Sequence, residues 1–255
     1  MTRRSHPDDL GHPVRLPARV ERVVSLVPSL TEALAATDPA LVAGCTRWCT
    51  HPPGLRAERV RGTKNPHVRR IIEMAPDLVV ANQEENRERH VRELRAAGIP
   101  VWVTVVRDLA EAFASMRRLI TVACARPEPA WLAEAEAAWR EPAPLRGVRV
   151  AVPIWRDPWL AVGRDTFAGD LLARLGAVNV YADAADRYPA ADPRDIAARA
   201  PDAVLLPDEP YAFSASDGPE AFPRTRTVLI EGRDLTWYGP SLAAARERLA
   251  AALPG

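Results

Sequence analysis

The chain has 255 residues, with 34 basic against 33 acidic side chains, 47% apolar and 26% charged content, the composition of an ordinary folded globular protein. A net charge of +1 argues against nucleic acid or an anionic membrane surface as partner, since both reward a strong basic excess. No segment approaches the roughly 18 apolar residues of a membrane helix, and three cysteines do not make a disulfide framework.

Met1 to Glu21 carries basic residues but no apolar run of the roughly 7–15 residues that a secretory signal requires. The expectation from this segment is a cytoplasmic chain. Val20 to Val27 reads as a buried strand stopped by Pro28. Ser29-Leu30-Thr31-Glu32 spells a capping box that opens a helix through about Ala36. Leu41 to Ala43 is a second strand, followed by the irregular segment Gly44 to Asn65. Val68 to Met74 is a short helix ended by Pro76, and Asp77 to Ala81 a strand. Glu88 to Ala97 is a helix stopped by Gly98, and Pro100 to Val106 returns to strand.

Asp108 to Ala125 and Glu128 to Arg140 form the longest helical stretch, broken around Pro127 and Pro129, and Pro142 to Gly147 closes it. The alternation then resumes. Val148 to Ile154 is a strand, Thr166 to Leu175 a helix stopped by Gly176, and Asp192 to Ala200 another helix. Ala203 to Leu206 and Val228 to Glu231 are strands, and Ser241 to Leu253 is the last helix. Most of the 25 prolines fall between periodic segments, as stiff connections. The pattern predicts an α/β protein of two lobes, 19–106 and 147–255, with central, mostly parallel sheets and a linking helical region over 107–146. The halves share one echo, Ala75-Pro76-Asp77 against Ala200-Pro201-Asp202, in which a helix ends at Ala-Pro and an aspartate leads a strand.

Aromatic residues are 6% of the chain, yet several stand beside predicted strand ends, where ligands bind in open α/β sheets. These are Trp48, the pair Trp155 and Trp159 bracketing Arg156-Asp157-Pro158, Tyr188, Tyr211 after Glu209-Pro210, and Trp237-Tyr238. Flat rings suit a planar or macrocyclic ligand; any one of them is equally compatible with capping the core. Trp102, Trp131 and Trp139 lie inside strand or helix patterns and read as structural. Asn82-Gln83-Glu84-Glu85-Asn86 follows a strand. Its carboxylates suit a cationic ligand group or pairing with Arg47 or Arg164, or else a solvated helix start. Ser29 heads a helix whose free N–H groups would favour an anionic group, or it serves only as a cap. Cys45, Cys49 and His51 carry metal-ligating chemistry, but their C-x3-C-x-H spacing matches no common site, and no metal is expected. The usual catalytic motifs (G-x-S-x-G, H-E-x-x-H, a phosphate loop, G-x-G-x-x-G) do not occur.

Five segments in order, RVVSLVPSLTEAL (22–34), VAGCTRWCTHPP (42–53), GTKNPHVRRIIEMAPDLVVA (62–81), VGRDTFAGDLLARLGAVNV (162–180) and APDAVLLP (200–207), resemble the helical-backbone (class III) substrate-binding proteins of ABC transporters, closest to cobalamin-binding-like members. The resemblance runs from about Val20 to Leu253. It implies two lobes joined by a helix, a ligand cleft between them, and a small-molecule ligand that is a corrinoid, haem or iron–siderophore rather than a required cofactor. It also implies an ABC permease as partner. The expected ligand-contacting set is Pro28, Ser29, Arg47, Trp48, Asn65, Asn82, Glu84 and Glu85 in the first half, and Trp155, Trp159, Arg164, Tyr188, Glu209, Tyr211, Trp237 and Tyr238 in the second. Two alternatives stand beside this reading: a cytoplasmic enzyme or accessory protein that reuses the cleft, and a fold kept for protein–protein contact.

Overall fold

The structure is a computed structural model that describes residues 4–141 and 143–253. Pro142, taken above as the start of the closing segment, and the last two residues lie outside it. The chain divides into two compact units. The first runs up to Val106 and takes in Ala110–Ala133 and Tyr238–Pro240; the second holds Arg107–Leu109, Glu134–Trp237 and the chain from Ser241 on.

The first unit opens with an antiparallel hairpin, β1 (Arg4–Pro7) and β2 (Pro13–Leu16). It continues through β3 (Val23–Ser25), α1 (Pro28–Thr37), β4 (Val42–Cys45), β5 (Glu58–Arg59), α2 (Val68–Glu73), β6 (Leu78–Asn82), α3 (Glu88–Ala96) and β7 (Val101–Thr104). β3 to β7 form one parallel sheet in the order β5-β4-β3-β6-β7. Both faces of the sheet are buried, so its strands are near-continuous apolar runs (Leu78–Asn82 and Val101–Thr104 are buried throughout). Val24, Val79, Ala81, Val101 and Val103 share the cluster that receives Ile71 of α2 and Leu94 of α3. α3 is otherwise charged, which is why Val91 and Leu94 alone are its buried residues. The hairpin, which the sequence does not suggest, is docked by Asp8. One Asp8 carboxylate oxygen accepts from Leu10 N and His12 N within the turn, and the other from Arg95 Nη2 at 2.8 Å and Val103 N at 3.3 Å.

Between the sheets come α4 (Leu109–Arg118), a π-helical turn (Leu119–Ala123) and α5 (Ala130–Arg140). The second unit follows with β8 (Arg149–Ala151), β9 (Pro153–Trp155), β10 (Leu160–Ala161), α6 (Phe167–Leu175), β11 (Val178–Asn179), α7 (Pro193–Ala198), β12 (Ala203–Pro207), β13 (Thr227–Ile230), α8 (Gly232–Thr236) and α9 (Leu242–Ala252). Its parallel sheet has the order β11-β8-β12-β13, and β9 and β10 form a separate antiparallel pair. α6 matches the expected helix closely. Thr166 caps it by accepting from Gly169 N at 3.1 Å, and Gly176 ends it at φ +84°, in the left-handed region that glycine adopts without strain.

The sequence echo is a structural device used twice. Ala75 and Ala200 both take positive φ (46° and 48°), turning the chain sharply out of α2 and α7. Asp77 then accepts from Glu21 N and Arg22 N (2.8 and 2.9 Å), and Asp202 accepts from Arg149 N at 2.8 Å. In each unit the aspartate clamps the entry of the first sheet strand. The arginine at that entry returns the contact: Arg22 Nη2 reaches Met74 O at 3.1 Å, and Arg149 Nη2 reaches Arg199 O at 2.8 Å. Asp77→Ala and Asp202→Ala are each expected to cost about 1 kcal/mol, the worth of a partly solvated charged hydrogen bond. Urea unfolding followed by circular dichroism should show that loss, and midpoints unchanged in both variants would contradict the clamp.

The expected capping box does not form. The helix begins two residues earlier than that motif requires, with Val27 as the cap residue, Pro28 in the first turn and no side-chain cap bond. Pro28 has no N–H to be satisfied and its φ is already helical, so it takes the position that Ser29 was expected to introduce. Ser29 and Glu32 are buried instead.

Candidate functional site

Each parallel sheet starts in its middle, at β3 and at β8, runs outward on one side, and returns to the other side at β6 and at β12. The carboxyl ends of β3 and β6, and of β8 and β12, are therefore topological switch points, where the loops diverge and leave a crevice for a ligand. The candidate residues fall on these loops.

In the first unit the loop after β6 is held by two asparagines. Asn82 Oδ1 accepts from Glu84 N at 2.9 Å and Glu85 N at 3.3 Å, while its Nδ2 donates to Thr104 O and Oγ1. Asn86 Oδ1 accepts from Asn82 N at 2.9 Å, and its Nδ2 donates to Leu26 O beyond β3 (3.3 Å) and to Thr63 O (3.0 Å). Asn82 is buried and its amide is committed to the backbone, so it shapes the loop that offers Glu84 and Glu85. Lys64 Nζ donates to Glu84 O; this lysine, inside the GTKNP segment, is the cation beside the acidic loop. Arg47 instead lies over the ring of Trp48 (4.9 Å), and Arg164 bonds Asp165 at 2.9 Å. The Glu85 carboxyl is held above the usual carboxylate range, chiefly because surrounding protein disfavours its charged form, with Lys64 opposing and Glu84 adding to the shift. Trp48, after β4, is 56% exposed, and Asn65 is exposed as well.

In the second unit the two switch-point loops meet through their rings. Trp155 at the end of β9 packs edge-on against Tyr211 beyond β12, with centroids 5.8 Å apart. Trp159 stacks on Phe213 (5.7 Å) and meets Phe222 edge-on (5.6 Å). Arg156 lies over Trp159 and donates to Glu220 at 2.6 Å and to Asp217. Tyr211 Oη donates to the same Asp217 at 2.7 Å, and that bond raises the Tyr211 phenol above its ordinary range. The result is an aromatic shelf whose outer ring, Trp155, is 43% exposed and whose rings Trp159 and Tyr211 are anchored by Arg156 and Asp217. Arg156, Asp217, Phe213 and Phe222 belong to this arrangement and were not singled out from sequence. Only Arg156 had a signal, being bracketed by two tryptophans.

The remaining candidates divide by exposure. Tyr188 is 38% exposed, with Arg187 over its ring at 5.8 Å. Glu209 is half-buried beside α8, where Thr236 Oγ1 reaches it at 3.4 Å. Trp237 and Tyr238, expected among the ligand-facing rings, are buried, and the Tyr238 phenol is raised by that burial. Trp237 packs under Arg233 (5.7 Å). Pro28 is half-buried at the start of α1, and Ser29 beside it is buried. The histidine of the Cys45, Cys49 and His51 set turns to Thr50, with Nδ1 3.0 Å from its hydroxyl. Among the described residues no group of three or more His, Cys, Asp or Glu side chains is arranged to hold a metal ion.

No protein-family model matches the chain. The vitamin B12-binding protein of Salmonella choleraesuis (strain SC-B67) is 30% identical over 194 residues, which is 72% of this chain and 71% of that protein. Among solved structures, a periplasmic heme-binding protein from Pseudomonas aeruginosa superposes with a TM-score of 0.79 at 20% identity, covering 91% of this chain and 92% of the other. The periplasmic vitamin B12-binding protein BtuF of Vibrio cholerae superposes with a TM-score of 0.73 at 18% identity, covering 92% and 97%. Fold, site and relatives together define a solute-binding protein. The chain belongs to the class III, helical-backbone family of ABC-transporter substrate-binding proteins.

These findings correct the expected compartment. The superposing proteins are periplasmic, which overturns the cytoplasmic expectation. That expectation rested on Met1 to Glu21, and from Arg4 this segment is the folded hairpin β1–β2, docked on β7. No helix among the described residues is long and apolar enough to cross a membrane.

Proposed function

We propose that this protein captures a corrinoid of the vitamin B12 class and delivers it to an ABC-type permease. The observation that carries the reading is the match at 30% identity, over 194 residues, to a vitamin B12-binding protein. The chemistry of the loops supports it. A corrin is a broad, nearly flat macrocycle fringed with amides, and exposed indoles such as Trp48 and Trp155 give it contact area at low entropic cost. Arg47 and Asn65, both exposed, supply N–H donors to amide carbonyls at the rim. The proposed ligand-contacting set is therefore Arg47, Trp48, Asn65, Glu84 and Glu85, with Trp155, Trp159, Arg164, Tyr188 and Tyr211. Ser29, Asn82, Trp237 and Tyr238 are buried and stand outside this set.

Native mass spectrometry tests the choice of ligand. The protein is incubated with equimolar cyanocobalamin, haemin and a ferric siderophore, and the retained adduct is weighed. A single corrinoid adduct is the expected result. Retention of haemin or the siderophore in its place would assign the ligand differently.

A further inference from the structure

Cys45 ends β4 and Cys49 closes the turn after it, and both are fully buried free thiols. The two thiols hydrogen-bond each other. Arg59 of β5 fixes the turn that brings them together: its Nη1 donates to Cys45 Sγ at 2.7 Å, to Cys49 O at 2.9 Å and to Thr46 O at 3.1 Å. Cys49 Sγ also accepts from Thr31 Oγ1 at 3.1 Å and lies 3.2 Å from Thr46 Oγ1. A guanidinium at Cys45 and two hydroxyls at Cys49 thus line one turn that carries both sulfurs, and no part of the ligand reading uses them.

We propose that Cys45 and Cys49 form a reversible dithiol–disulfide site whose oxidant is a small hydroperoxide. Cys49 is the attacking sulfur. Its thiol is drawn below the ordinary range, first by the hydrogen bond from Cys45 and further by Thr31 and Thr46, against the desolvation that opposes this. Cys45 is raised by the same bond and by burial, against the opposing pull of the Arg59 guanidinium. The Cys49 thiolate attacks a peroxide oxygen, the O–O bond breaks, and the departing oxygen takes a proton to leave as water (or an alcohol), giving a sulfenic acid at Cys49. Cys45 then attacks that sulfur, the S–S bond forms, the S–O bond breaks, and the hydroxide leaves as water with the Cys45 proton. Two thiols are oxidised and one peroxide is reduced.

Burial of both sulfurs restricts the first step to a small oxidant. Only three residues separate the cysteines, so the disulfide closes a short loop and removes little entropy from the unfolded chain. Cys124, also buried, is pushed up to about 12 by desolvation and serves as an internal control.

The test needs only the full chain. Reduced protein is treated with stoichiometric hydrogen peroxide, denatured, alkylated with iodoacetamide, weighed intact and mapped by peptide. Of the three cysteines, only Cys124 should remain alkylated, and the peptide spanning Cys45 and Cys49 should lack two hydrogens. Dithiothreitol should restore all three alkylations. In Cys45→Ser a sulfenic acid should accumulate at Cys49 and be trapped by dimedone. Three alkylations persisting after peroxide would overturn the proposal, as would a disulfide involving Cys124 or overoxidation without the Cys45–Cys49 link. Those readouts on the unaltered protein decide the matter even if the serine variant does not fold. The corrinoid reading does not depend on the outcome.

Discussion

Trp155→Ala is expected to weaken cyanocobalamin binding by about 1–3 kcal/mol, roughly 5- to 150-fold in Kd, while leaving the unfolding midpoint close to that of the parent chain. The magnitude is that of an aromatic anchor stacked on a ligand. The separation from stability follows from where the ring sits. Trp155 is 43% exposed at the tip of the β9–β10 pair, and its ring neighbour Tyr211 is held independently by Asp217. Removing the indole leaves the shelf of Trp159, Phe213 and Phe222 in place. Trp237→Ala should behave in the opposite way. That ring is 5% exposed, so its loss creates a cavity, and the variant should be recognised by a lowered unfolding midpoint. Calorimetric titration and urea unfolding of both variants separate the cases. Equal affinity for Trp155→Ala and the parent chain would remove Trp155 from the site.

Trp102→Ala should lower the unfolding free energy by about 3–5 kcal/mol, the cost of emptying a large, fully enclosed position. The ring is 0% exposed within β7, with the Arg118 guanidinium 5.2 Å from its centroid. Its loss opens a cavity beneath the sheet and removes the face on which that cation lies. The indole N–H has no hydrogen-bond partner, and a buried unpaired donor is itself unfavourable. Trp102→Phe, which removes that donor while keeping most of the ring, should therefore cost far less than alanine. A phenylalanine variant as unstable as the alanine one, by urea denaturation, would mean that the indole N–H contributes to stability.

The parts of the fold that were legible in the sequence are those whose cause is local. α6 was readable because Thr166 caps it, Leu171, Leu172 and Leu175 repeat at helical spacing, and Gly176 ends it. β6 and β12 were readable because strands buried on both faces are unbroken apolar runs. The Ala-Pro-Asp echo was readable as a pattern; its role as a clamp needed the partners Arg22 and Arg149, which lie far off in sequence. The hairpin β1–β2 was not readable. Its strands have four residues each, with prolines at their ends, and it is held by Asp8 against Arg95 and Val103, nearly a hundred residues away.

The site divides in the same way. Strand-end position was visible, so Trp48, Trp155, Tyr188 and Tyr211 were expected beside the loops, and the fold leaves Trp48, Trp155 and Tyr188 exposed there. Exposure was not visible, because a neighbour distant in sequence decides it, and Trp237 and Tyr238 looked no different from Trp155 until the fold buried them. Side-chain commitments were equally hidden. Asn82 was expected among the ligand-contacting residues, but in the structure its amide is committed to its own loop and to Thr104.

Isothermal titration of the purified chain with cyanocobalamin tests the central claim most directly. Saturable binding of one corrinoid per chain is expected, at a Kd in the micromolar range or tighter, about −8 kcal/mol or better. A negative heat-capacity change should accompany it as the rings are covered. Absence of saturable heat from a chain that circular dichroism shows to be folded would contradict it.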